Sequence, residues 1–183
     1  MMEMRPSGGG RLRLVFHVPT RGLLGYQSEL LTDTRGTAVM NRLFHAYAPF
    51  KGDIPGRRNG VLISTDSGDA VAYALWNLEA RGPMMIEPGW KVYRGMIVGE
   101  HTRGNDLEVN VLKGKKLTNI RTTAKDEAVR LTPPIRMTLE KALAYIEDDE
   151  LVEVTPKSIR LRKKILDPNE RKKDERAREA AEV

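Results

Sequence analysis

The sequence contains no cysteine, which excludes disulfides, thiolate metal sites and cysteine nucleophiles together, and makes a reducing, cytoplasmic setting the simplest expectation. Histidine is scarce as well. His17, His45 and His101 lie far apart and none belongs to an H-E-x-x-H pair, so each reads as a structural histidine rather than a ligand. No apolar run approaches the roughly 18 residues of a membrane span, and the opening MMEMRPSGGG lacks the apolar centre of a signal peptide. No membrane partner is therefore expected. A phosphate-binding loop, G-x-x-x-x-G-K-S/T, needs glycines that let backbone N–H groups wrap the phosphates. Lys113-Gly114-Lys115-Lys116-Leu117-Thr118 only echoes it, without the first glycine or a correctly placed hydroxyl. Asp33-Thr34-Arg35-Gly36 and Asp53-Ile54-Pro55-Gly56 fit the loose D-x-x-G pattern, and no G-x-S-x-G elbow occurs. No catalytic residue, metal ligand or cofactor-binding residue is assigned.

What is present suits a folded, basic protein. Hydrophobic residues make up 40% of the 183 and charged residues 31%, enough apolar material for a core. The net charge of +6 is unevenly placed. Residues 157–178 carry ten Lys/Arg against four Asp/Glu, including Arg160, Arg162, Lys163 and Lys164. A second concentration is sharper: between Val109 and Lys125 there is no acid, and Lys113, Lys115, Lys116, Arg121 and Lys125 supply five cations. Asn119 and its neutral neighbours Asn110, Thr118, Thr122 and Thr123 add hydrogen-bonding groups. Cations give affinity for phosphate, and small polar side chains fix register on sugars and base edges. No aromatic residue lies between Tyr93 and Tyr145, so stacking of bases on this stretch is not expected. The charge pattern by itself fits RNA binding and a merely solvated loop equally well.

Local patterns divide the chain. Residues 2–6 and 11–18 read as a hairpin around Ser7-Gly8-Gly9-Gly10, followed by a helix over 23–32 with Gly36 beyond its end and a strand over 37–48. A boundary falls near residue 50. Short strands are expected around 60–65, 70–73, 84–87 and 96–101, with one or two helical turns over 74–80. Residues 103–127 read as a long excursion. Thr138 caps a helix bearing Leu139, Ala142, Leu143 and Ile146, and strands follow at 150–154 and 157–163. Asp167-Pro168 with Glu170 opens a helix over 168–181. That helix has almost no apolar face and is expected to be solvated or ordered only by a partner. The acidic run Glu147-Asp148-Asp149-Glu150 reads as a helix end and a solvated turn.

RGLLGYQSELLTDTRGTAVMNRLF (21–44), GRRNGVL (56–62), AVAYALWNLEARG (70–82), EPGWKVYRGMIVGEH (87–101), NDLEVNVLKGKKLTNIR (105–121) and residues 126–166 together resemble the C-terminal portion of BipA/TypA translational GTPases. The resemblance runs to about Leu166 and implies an α+β chain. Residues 1–50 would form a partial ferredoxin-like unit, similar to the fifth domain of elongation factor G without its first strand and helix. Residues 51–166 would form the family's own mixed, mostly β C-terminal domain with a long basic loop, and 167–183 a charged helical tail. It further implies binding to ribosomes and their large subunits, to ribosomal RNA and to the acceptor arm of transfer RNA, with a role in large-subunit assembly, translation and stress adaptation. Lys113, Lys115, Lys116, Asn119, Arg121 and Lys125 would be the leading contacts, with Arg160, Arg162, Lys163 and Lys164 behind them. GTP and magnesium would belong to a GTPase domain outside this sequence. Loss of a central strand would leave unpaired backbone, so self-association or local rearrangement is expected of the first unit. A general RNA chaperone, a fragment of another elongation-factor-like GTPase and a free-standing enzyme remain as alternatives at this point.

Overall fold

The computed structural model describes residues 1–52, 56–114 and 130–181. The chain separates into two compact units, Met1–Pro55 and Gly56–Val183.

In the first unit β1 (Glu3–Pro6) and β2 (Leu12–Val15) form an antiparallel hairpin, Glu3 opposite Val15 and Pro6 opposite Leu12. A short 3-10 turn (Thr20–Leu23) leads into α1 (Tyr26–Asp33). Gly36, at φ +78°, closes that helix by donating its N–H to Leu31 O at 2.7 Å. Asp33-Thr34-Arg35-Gly36 is therefore a helix end and not a nucleotide-sensing turn. The strand expected over 37–48 does not form. A strand persists only where its N–H and C=O groups meet a neighbouring edge, and no described residue pairs with this stretch. Its apolar side chains are left open to solvent, Leu43 at 92% and Tyr47 at 96% exposure. None of the described residues of this unit is buried.

The second unit is built on a five-stranded mixed sheet. β3 (Val61–Ser64), β6 (Met96–Glu100), β7 (Leu107–Val109), β8 (Glu150–Val154) and β9 (Ile159–Lys163) lie in the order β7-β3-β6-β9-β8, with only the β3–β7 pair parallel. A two-stranded ribbon of β4 (Gly68–Asp69) and β5 (Lys91–Val92) stands beside it. Helices cover both faces. Leu62, Met96, Val98 and Val109 pack with Leu75 of α2 (Ala72–Leu78), while Val61, Ile63, Ile97 and Leu161 pack with Ala142 of α3 (Leu139–Tyr145). This two-sided burial explains why all four residues of β3 are inside, a continuous rather than alternating pattern. The sequence reading placed a strand at 70–73, but the helix already begins at Ala72; at 84–87 only a bridge from Met84 to Gly99 forms.

Local caps follow the sequence. Thr138 Oγ1 accepts from Lys141 N at 3.2 Å at the start of α3. Asp167 Oδ1 accepts from Asn169 N and Glu170 N at 2.8 and 3.2 Å at the start of α4 (Pro168–Ala181), and these bonds hold its carboxyl below the usual range. The helix is not wholly free. Arg171 donates to Ile165 O, Leu166 O and Glu108 Oε1 at 2.8, 2.8 and 3.0 Å, tying its first turn to β7. Gly82 and Gly60 permit close backbone approaches in the unit: a Cβ would stand 2.0 Å from Glu100 O at the first and 2.2 Å from Asn105 O at the second.

Two phenols give the unit a signature in base. Burial and the hydrogen bond Tyr93 donates to Glu153 Oε2 at 2.6 Å push the Tyr93 phenol well up. Burial and the nearby Glu100 carboxylate do the same for Tyr145. Folded-state values above the unfolded value mean that this stability is fully present below pH about 10 and is lost as pH rises beyond it. Phenolate absorbance should therefore show two of the five tyrosines ionising only as the protein unfolds. All five titrating together near pH ~10 would contradict this.

Candidate nucleic-acid interface

The approach to the acid-free stretch is held at both ends. Before it, Val111 is fully buried, Asn110 Nδ2 donates to Asp66 Oδ2 at 2.8 Å, and Leu112 N donates to Asn110 Oδ1 at 2.9 Å. Lys113 then points to solvent. After it, Thr132 donates through N and Oγ1 to Glu79 Oε1, both at 2.6 Å, and Ile135 N donates to Met84 O at 2.8 Å. The flanking residues on both sides are thus fastened to the second unit, Asn110 at Asp66 and Thr132 at Glu79. Lys115, Lys116, Asn119, Arg121 and Lys125 lie outside the described residues.

The second group, on β9, behaves less uniformly than its sequence. Alternation along the strand puts Arg160 and Arg162 on one face and Leu161 and Lys163 on the other. Arg162 is committed internally: its Nε lies 2.8 Å from Glu153 Oε1, at an angle outside a hydrogen bond, and Nη1 donates to Lys163 O at 3.1 Å. Arg160 has no carboxylate partner among the described residues, because Glu153, its neighbour in register, serves Arg162 and Tyr93. Lys164 is exposed.

Lys163 is not at the surface. Its side chain is 3% exposed, and Nζ meets Asp106 Oδ2, Asp149 Oδ2 and Glu150 Oε1 at 2.6, 2.7 and 2.9 Å. Burial opposes its charge, yet these carboxylates prevail and raise its affinity for the proton. Glu150, fully buried, also takes a bidentate contact from Arg57, with Nη1 at 2.5 Å from Oε2. Arg57 in turn donates to Asn59 O and Tyr145 O and stacks on the Tyr145 ring at 4.9 Å. Glu147 and Asp148 lie in the exposed turn after α3, as read, whereas Asp149 and Glu150 belong to an ion network of which Lys163 is the central cation. An ammonium already occupies the space these acids enclose; among the described residues no group of three His, Asp or Glu is arranged to hold a metal.

The sequence reading also missed a cleft beside β9, where Lys91 and Lys157 join Arg160 around Trp90. The residues are far apart in sequence and only the fold groups them.

A mixed sheet covered by helices on both faces, following a separate hairpin-and-helix unit in the sequence, defines the class: a two-unit α+β chain. Residues 1–58 match the elongation factor G C-terminus, and residues 59–168 match the TypA/BipA C-terminal domain. The chain belongs to the TypA/BipA family and corresponds to its C-terminal part. It is 52% identical over 178 residues to the large ribosomal subunit assembly factor BipA of Escherichia coli K12, covering 97% of this chain and 29% of that protein. Against the factor of the same name from Bacillus subtilis 168 it is 48% identical over 182 residues, covering 99% and 30%. With that of Haemophilus influenzae it shares 50% over 175 residues, 95% and 28%. The chain thus spans less than a third of the length of these relatives.

Proposed function

We propose that this chain is the ribosome-facing, RNA-binding part of a large-subunit assembly GTPase. The observation that carries the reading is the acid-free run of five cations from Lys113 to Lys125, flanked by Asn110 and Thr132, which both bond to the folded second unit, in a chain whose relatives are named as large-subunit assembly factors. Lys113, Lys115, Lys116, Arg121 and Lys125 would neutralise phosphates of ribosomal RNA or of the transfer RNA acceptor arm, and Asn119 would fix register. Arg160 and Lys164 add a second contact on the same unit. Lys163 and Arg162, engaged with carboxylates, act by holding β9 in place instead.

GTP and magnesium do not fit the residues present: the D-x-x-G at Asp33 caps a helix, and no phosphate-wrapping loop exists in the sequence. We assign nucleotide hydrolysis to the part of the relatives' length that this chain does not cover. On the same reading the protein works in the cytoplasm, in translation and in stress adaptation. The exposed apolar side chains of residues 39–50 support self-association through the first unit, which sedimentation velocity reads directly.

A photo-crosslinking side chain placed at Lys116 tests the assignment. Mixed with large subunits, it should link the chain to ribosomal RNA. Capture of ribosomal proteins alone would remove the loop from the RNA interface. A general RNA chaperone would instead crosslink unstructured RNA with equal yield.

A further inference from the structure

The cleft beside β9 is a cavity of about 590 Å³, within the range of pockets that hold small ligands. Met85, Met96 and Met137 are among its lining residues, and no carboxylate lines it. Lys91, Lys157 and Arg160 line it without a carboxylate partner among the described residues; the fourth cation, Arg136, pairs with Glu87 at 2.9 Å. Unpaired cations gathered around an apolar hollow leave a positive potential that like-charge repulsion makes unfavourable unless an anion relieves it. Trp90 lines the same cleft and is 38% exposed, so part of a large aromatic side chain is open to solvent there.

These groups are held rather than draped. Trp90 O accepts from Ala70 N at 2.9 Å and Trp90 N donates to Glu87 O at 3.2 Å, fixing its backbone from two sides. Lys157 sits in the β8–β9 turn, which Thr155 closes through Ser158 N to Thr155 Oγ1 and Thr155 N to Ser158 O, both at 2.9 Å. Arg160 lies on β9 itself, and Lys91 on β5, opposite Asp69 in register.

We propose that this cleft binds one unpaired nucleotide of an RNA strand, the base against Trp90 and the methionines and the flanking phosphates on Lys91, Lys157 and Arg160. Cations alone would suit any polyanion, an acidic peptide included. An exposed indole beside them matches a flat π-face followed by a phosphate, and side chains of acidic peptides offer no such face. The site rests on the RNA-binding reading and gives it a base-stacking element that the loop of 113–125 lacks.

Trp90 is its own reporter once Trp76, exposed on α2, is replaced. In the Trp76→Phe chain, hexa-adenylate should quench Trp90 fluorescence saturably. A hexamer of the same sugar-phosphate backbone without bases should bind at least about tenfold more weakly, the order of one stacked base. Arg160→Ala and Lys157→Ala should each weaken hexa-adenylate by several-fold while leaving the circular dichroism spectrum unchanged. Absence of quenching, equal binding of the base-free hexamer, or equal quenching by polyglutamate would each overturn the proposal. Sedimentation with large subunits separates the two claims. If the chain sediments with large subunits but hexa-adenylate leaves Trp90 unquenched, the cleft assignment falls and the RNA-binding reading stands.

Discussion

Glu150→Gln is expected to cost the second unit about 3–5 kcal/mol of stability, the range for removing one partner of a buried ion pair. The side chain is fully buried, with Arg57 on one side and Lys163 on the other, and it also accepts from Glu147 N at 3.1 Å. Glutamine keeps the volume and loses the charge, so Arg57 retains two carbonyl partners, the Tyr145 ring and the more exposed Glu147, 3.7 Å away. The amide also turns an N–H₂ group toward donors. Replacing the exposed Arg136, paired with Glu87, is the control and should cost under about 0.5 kcal/mol. Urea denaturation of both variants reads the difference. A Glu150→Gln cost below about 1 kcal/mol would mean that the network is hydrated and contributes little.

The loop variant Lys115→Ala/Lys116→Ala/Arg121→Ala should leave stability unchanged and lower affinity for large subunits by roughly two to three orders of magnitude at moderate salt. The estimate takes each phosphate contact as releasing condensed counterions, with a slope of log K against log salt of about −0.7 to −0.9 per contact. Five contacts give about −3 to −5 for the parent chain, and removing three should flatten the slope by about 2 to 3. Unchanged affinity in the variant would move the interface away from this loop, to Arg160 and Lys164 or to the tail helix.

Features set by neighbours in sequence were legible before the fold was known. The glycine-rich hairpin, the Thr138 and Asp167 caps and the Gly36 helix end each need only a few adjacent residues, and each forms as read. Family membership was legible for a different reason, since long runs such as 87–101 and 126–166 carry the resemblance. The strand over 37–48 failed because a local reading says nothing about whether a partner edge is present. The ion network was invisible because Arg57 and Glu150 are separated by 93 positions, and Glu150 and Lys163 sit inside runs of like charge that read as solvated. For the same reason Lys163 looked like a surface cation, and Trp90, Lys91 and Lys157 looked unrelated. Charge counted along a sequence identifies cations; only topology says which of them are left without a partner.

The most direct test of the account is co-sedimentation of the chain with purified large and small ribosomal subunits across a salt series. The account predicts saturable binding to particles bearing the large subunit, weakening steeply as salt rises, with little retention on small subunits. Equal binding to both subunits, or binding to neither at low salt, would contradict it.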